Sequence, residues 1–129
     1  MTAPANDLLS SRGTTNLVYG VPSLAIAATG VLRAGEAVLA LVWTLGFTVM
    51  GVACVVNAMR CGRMHCYFMG PFLLLVAAAT LLHGLGVVSL GPSGWQWLGL
   101  VAIAGTVVLL VVPERLWGRY TDRANRASS

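Results

Sequence analysis

Hydrophobic positions fall into four runs separated by short polar breaks: Leu17 to Leu32, Ala37 to Met59, Tyr67 to Leu90 and Trp95 to Val112. A helix crosses a hydrocarbon core about 30 Å thick with roughly 20 apolar residues. The second and third runs meet that length, and the fourth falls slightly short. The first is short and is interrupted by Tyr19, Gly20, Pro22 and Ser23. The breaks carry turn chemistry: Arg33-Ala34-Gly35-Glu36 suits a helical hairpin, and Gly91-Pro92-Ser93-Gly94 is a strong turn signal. Pro71 is expected in the first turn of the third helix, where its missing N–H costs little, and Pro113 is expected to close the fourth. The pattern predicts an all-α membrane protein, an antiparallel bundle of four transmembrane helices, or of three if the first run does not span. It divides the chain into a polar segment 1–15, a transmembrane domain 16–118 and a tail 119–129.

Composition strengthens this reading. The chain is 57% hydrophobic and 9% charged, whereas soluble domains carry about 25% charged residues. Lysine is absent, and the arginines lie between the apolar runs. With four spans, Arg12, Arg60, Arg63, Arg115, Arg119, Arg123 and Arg126 share one side, and Arg33 takes the other. The positive-inside rule then places both termini and the Arg60–Arg63 loop in the cytoplasm of a multi-pass cell-membrane protein. Three spans move Arg12 to the side of Arg33 and leave the loop and the tail where they were. Trp95 and Trp97 at the outer interface, with Tyr67, Trp117 and Tyr120 at the inner one, form the expected aromatic belts. The first residues are too weakly cationic for a cleavable leader, although Ala25 and Ala27 have the spacing of a cleavage site. Gly46, Ala53, Ala78, Gly99 and Ala102 offer close helix approach. No basic face with interleaved aromatics exists, so the expected partners are the lipid bilayer, a second copy or a larger membrane complex, and not nucleic acid.

Chemistry concentrates in Val49 to Gly70, which holds Cys54, Cys61 and Cys66, every methionine except Met1, and His65. Thiolate and thioether are soft donors that select ions such as Cu(I), and Hg(II) has the same preference. At about 100° per residue, Met50, Cys54, Asn57, Cys61 and His65 fall within an arc of about 80°, provided the helix runs on through Gly62. If Gly62 ends it, Cys61, His65 and Cys66 can meet in a compact loop instead, with Arg60 and Arg63 favouring the thiolate form. The expected soft-metal set is therefore Cys61, His65 and Cys66, with Cys54 and Met50 leading into the membrane. Ordinary packing accounts for Met50 and Cys54 as well, since both residue types fill irregular gaps. An odd number of cysteines, two of them cytoplasmic, argues against a disulfide framework.

His83 is an ionisable residue inside a span, so it is tested for function by default. Glu36 begins the second helix at the same face, which permits a Glu36–His83 pair. The alternative is a neutral histidine bonded to a backbone carbonyl or to Ser89. No phosphate loop, Ser/His/Asp set or buried carboxylate pair occurs, so no enzymatic activity is expected. The absence of a mid-membrane acid weighs against a proton-driven exporter.

The run Asn57-Ala58-Met59-Arg60-Cys61-Gly62-Arg63-Met64-His65-Cys66-Tyr67, followed by Gly70-Pro71, resembles a signature of small bacterial and archaeal multi-spanning membrane proteins. In size, span number and cytoplasm-facing cysteines the chain is also loosely similar to the small mercuric-ion transport proteins. It departs from them at their paired cysteines in the first helix, because Cys54 stands alone in its helix. Two functions follow as expectations: soft-metal (Hg or Cu) binding or transport, and service as an accessory or assembly subunit of a larger complex.

Overall fold

The computed structural model describes residues 11–118, apart from the side chain of Cys61. The polar tail 119–129 and the first ten residues lie outside it. Within the described residues the chain is helical with no strand. The first helix, α1, begins at Arg12, before the apolar run. It comprises an α turn Arg12–Thr15, a π turn Asn16–Gly20 and an α segment Val21–Val31. The π turn has a local cause: Pro22 lacks the N–H that would bond the carbonyl four residues back, and the ladder widens just before it. The remaining helices are α2 (Glu36–Cys61), α3 (Met64–Gly84) and α4 (Gly94–Trp117). These three are long and apolar enough to cross a membrane, so the chain is an all-α membrane protein.

The turns form where backbone chemistry permits them. After α1, Ala34 N–H bonds Thr29 O at 3.0 Å and Arg33 N–H bonds Gly30 O at 3.3 Å, with Arg33 in the left-handed region at φ 49°. This is the double-bonded stop of a helix C-terminus, with arginine in the place glycine usually takes. The same closure follows α3, where Val87 N–H bonds Leu82 O and Gly86 carries φ 73°. The third apolar run therefore ends as a helix at Gly84, and the residues up to Leu90 form the connection. Gly62 ends α2 at φ 67°, Arg63 is extended, and α3 begins at Met64.

Two proline expectations are corrected. Pro71 lies inside α3, because that helix starts seven residues earlier, on the polar Met64-His65-Cys66 turn. Pro113 lies inside α4, which continues to Trp117. Each proline removes one ladder bond, which neighbouring helices can tolerate in a membrane bundle.

The helices pack in chain order, α1 on α2, α2 on α3 and α3 on α4, and each pair is antiparallel. Gly46 of α2 receives Ile26 of α1. Thr44 Oγ1 meets Thr80 Oγ1 at 3.1 Å across α2 and α3. The Phe72 ring of α3 lies over Gly105 of α4. The closest crossing is at Gly51 and Gly70, where a Cβ on Gly70 would stand 3.1 Å from Val55 N and 3.3 Å from Gly51 O. Of the small residues expected at interfaces, Gly46, Gly99 and Ala102 are packed inward, Ala53 is half-buried, and Ala78 points outward. Trp95 faces inward too, edge-on to Trp43 at 5.6 Å between centroids, while Trp97 and Trp117 stay exposed. Because α1 and α4 stay apart, an open groove of about 810 Å³ runs between them, floored by Trp43, Phe47, Met50, Met69 and Leu73.

Candidate functional site

The polar residues that interrupt the first apolar run are the ones that join α1 to α2. Tyr19 Oη lies 2.8 Å from Cys54 Sγ. Ser23 Oγ donates to Met50 Sδ at 3.7 Å, and Trp43 Nε1–H donates to Thr29 Oγ1 at 3.2 Å. Positions 19, 23 and 29 share a helical face, as do 43, 50 and 54. The expected soft stripe on α2 is thus real as far as Asn57: Met50, Cys54 and Asn57 are all buried, and Met59 faces away at 79% exposure.

The stripe does not continue through the loop. Gly62 turns the chain back, so His65 and Cys66 occupy the first turn of α3 and approach Cys54 from the neighbouring helix. Cys54 and Cys66 are both free and fully buried, and their thiols lie within interaction range of each other. Asn57 Nδ2 donates to Cys66 Sγ at 3.8 Å. The side chain of Cys61 lies outside the described residues.

Glu114 completes the cluster. Its Oε1 accepts from His65 Nδ1 at 2.6 Å and lies 3.8 Å from Arg63 Nε. A carboxylate acceptor requires the proton on Nδ1, which leaves the other ring nitrogen as an acceptor. The adjacent Cys66 thiol lies within interaction range of the His65 ring. The arrangement is a continuous polar path, Arg63–Glu114–His65–Cys66–Cys54–Tyr19, drawn from all four helices and the α2–α3 turn. Among the described residues no three His, Cys, Asp or Glu side chains converge on a point that could hold a metal ion. What the geometry offers is a dithiol with a histidine base beside it. Sequence reading placed Asn57 on the stripe with Cys54 but missed Glu114 and Tyr19 as members of this cluster. The sole cue for Glu114 was an acid inside a cationic segment, where a balancing partner is wanted.

His83 and Glu36 do not form an ion pair among the described residues. His83 Nδ1 bonds the carbonyl of Val88 at 3.1 Å, and its ring meets Trp95 edge-on at 5.0 Å; Glu36 is exposed on the first turn of α2. A double-mutant cycle of Glu36→Gln and His83→Gln is therefore expected to give a coupling below about 0.5 kcal/mol, as for independent sites. Thermal unfolding of the two single variants and the double variant checks this.

No protein-family model matches the chain, and no curated protein or solved structure matches it either. The likeness to small mercuric-ion transport proteins thus rests on size, spans and cysteines alone.

Proposed function

We propose that this is a soft-metal binding protein of the membrane, which takes up Cu(I) or Hg(II) between the thiolates of Cys54 and Cys66. The observation that carries this reading is the meeting of two free, fully buried thiols from neighbouring helices. Soft ions of this kind accept two sulfur ligands, whereas zinc asks for four ligands or for three and a water. A two-sulfur site thus accords with the absence of any three-residue cluster among the described residues.

Binding releases two thiol protons. His65 takes the one from Cys66, and Glu114 holds the resulting imidazolium; the proton from Cys54 leaves to bulk water at the Thr15–Arg63 end of the groove. Tyr19 O–H and the Asn57 amide donate to the sulfurs and stabilise their charge in surroundings without water. Met50 and Met69 line the adjoining groove and extend the soft-donor path away from the dithiol. The proposed topology has four spans, with both termini and the Arg60–Cys66 turn in the cytoplasm, so that ions arrive or leave at that turn. The positive-inside distribution of arginine supports it, and so does the run of α1 along α2 from Tyr19–Cys54 to Gly30–Trp43.

The test is a titration of the purified full chain with Hg(II) against a competing dithiol, following the near-ultraviolet sulfur-to-mercury band. One ion per chain is expected. Cys54→Ser and Cys66→Ser should each weaken binding by at least about 100-fold, because each supplies half of the ligand set, and Cys61→Ser should leave it unchanged. Unaltered affinity in the Cys54/Cys66 double variant would sink the proposal; loss in Cys61→Ser alone would sink this choice of pair.

A second reading, an accessory subunit of a larger membrane complex, is favoured by one observation. The apolar window of α4 is only 11% buried within the chain, against 39% and 44% for α2 and α3. Stoichiometric partners retained after mild detergent extraction support that reading.

A further inference from the structure

The groove between α1 and α4 carries two hydroxyls that the fold leaves poorly satisfied. Ser23 on the α1 wall reaches the thioether of Met50 at 3.7 Å, and a thioether is a weak acceptor. Thr106 on the α4 wall has no hydrogen-bond partner for its side chain among the described residues. By contrast, Thr44, Thr48 and Thr80 each have one.

Both hydroxyls lie at the same depth. Ser23 is level with Met50. Thr106 follows Gly105, which receives the Phe72 ring, and the residues two before and two after Phe72, Gly70 and Leu74, both meet Gly51. Met50 and Gly51 lie near the middle of α2, so the two hydroxyls face the groove near mid-membrane. No bulk water is available there, and an unsatisfied polar group is costly. A charged organic ligand, which unlike a soft metal ion gains no sulfur ligands there, is excluded at that depth by its own desolvation. Phospholipid offers only methylene groups at this level, because its polar atoms stay at the interface. What fits is a neutral acceptor within a long apolar molecule.

Dimensions narrow the class. From Thr15 to Val31 the α1 wall extends about 24 Å at 1.5 Å per residue, well beyond a single leaflet of about 15 Å. Two donors on facing walls call for acceptors on opposite edges of one group, and the floor below presents the aromatic rings of Trp43 and Phe47. We propose that the groove binds an isoprenoid quinone, with its ring carbonyls between Ser23 and Thr106 and its tail along the apolar walls. The quinone is flat, neutral and dissolved in the bilayer, and it bears carbonyls on opposite edges. This site is separate from the Cys54/Cys66 pair, so either can fail without the other.

The experiment uses the full chain in phosphatidylcholine nanodiscs, titrated with ubiquinone-2 and read by quenching of tryptophan fluorescence. Saturable quenching is expected, because Trp43 forms part of the groove floor. Ser23→Ala combined with Thr106→Val should weaken binding about tenfold, the effect of losing two hydrogen bonds. Ala27→Phe fills the groove from an exposed position and should abolish saturation, whereas Val101→Phe, exposed and outside the groove lining, should not. Squalene, an isoprenoid without carbonyls, should fail to compete. Linear quenching that is equal in all variants means simple partition into the bilayer and overturns the proposal. Undiminished affinity in the hydroxyl-free variant, or competition by squalene, overturns it too. A dimer by light scattering with no saturable quenching overturns it in favour of a second copy covering the groove.

Discussion

Gly70→Val is expected to cost about 3 kcal/mol or more of stability and to separate the two thiols, the largest effect of any single substitution considered. A Cβ at this position would stand 2.6 Å from Val55 Cγ2 and 3.1 Å from Val55 N. The side-chain methyl can turn aside, but the backbone nitrogen cannot, so α2 and α3 must move apart. Overpacking a well-filled core typically costs about 1–3 kcal/mol, and here the obstacle is the main chain of the facing helix. In lipid no hydrophobic force restores the contact, because helix association depends on close packing. The crossing lies one turn from Cys66 and next to Cys54, so the same displacement breaks the dithiol. Thermal unfolding in detergent should show a large fall in Tm, with Gly70→Ala intermediate, and Hg(II) affinity should fall with it. A Gly70→Val protein with unchanged Tm would mean that the crossing is not as close as described.

Glu114→Ala should rank next, at about 2–4 kcal/mol. Glu114 is the acceptor for His65 and the nearby counter-charge for Arg63, whose side chains are 7% and 12% exposed. Removing one partner of a buried pair costs roughly 3–5 kcal/mol; the 29% exposure of the glutamate side chain discounts that figure, since water reaches it in part. Glu114→Gln retains an acceptor for His65 but not the charge, and should fall between wild type and Ala. Adding Arg63→Gln to Glu114→Gln should recover part of the loss, because a guanidinium then no longer faces a neutral amide across the 3.8 Å contact that Glu114 made. A double-mutant cycle on these two residues measures the coupling, and additivity within about 0.3 kcal/mol would refute an energetically significant pair. The Glu114 variants should also bind soft metal more weakly, by roughly tenfold, as loss of an outer-shell partner commonly does.

The two predictions draw on different layers of legibility. The Asn57–Pro71 segment reads as special from sequence because it gathers soft donors, a histidine and two arginines at a helix boundary. Its residues then do separate things in the structure: Gly62 reverses the chain, Arg63 and His65 reach Glu114, Cys66 meets Cys54, and Gly70 lets the helices cross. Helical periodicity could relate Met50, Cys54 and Asn57, because they share one helix. It could not relate Cys54 to Cys66, because that contact depends on the turn at Gly62 and on the approach at Gly51 and Gly70. The expected meeting of Cys61, His65 and Cys66 joined neighbours in the chain, whereas the observed meeting joins neighbours across two helices.

Tyr19, Ser23 and Thr29 show the same limit from the other side. In sequence the first two weaken the first apolar run as a span. In three dimensions all three are the groups that join it to α2, because a polar atom in an apolar medium must find a partner and Cys54, Met50 and Trp43 provide one each. Likewise Pro71 and Pro113 read as helix ends, since a proline ends most water-exposed helices. Surrounding packing carries both helices through.

By itself, the sequence determined the membrane environment, the helical class, the positions of the turns and the segment where soft-donor chemistry lies. Each follows from local composition or from spacing within one helix, which are properties the chain possesses before it packs. Only the tertiary structure decided that Cys54 pairs with Cys66, that Glu114 joins Arg63 and His65, and that α1 and α4 stand apart around a groove. Those depend on how close two helices can come and at what register, which is set by glycines and side-chain fit on facing surfaces far apart in the sequence.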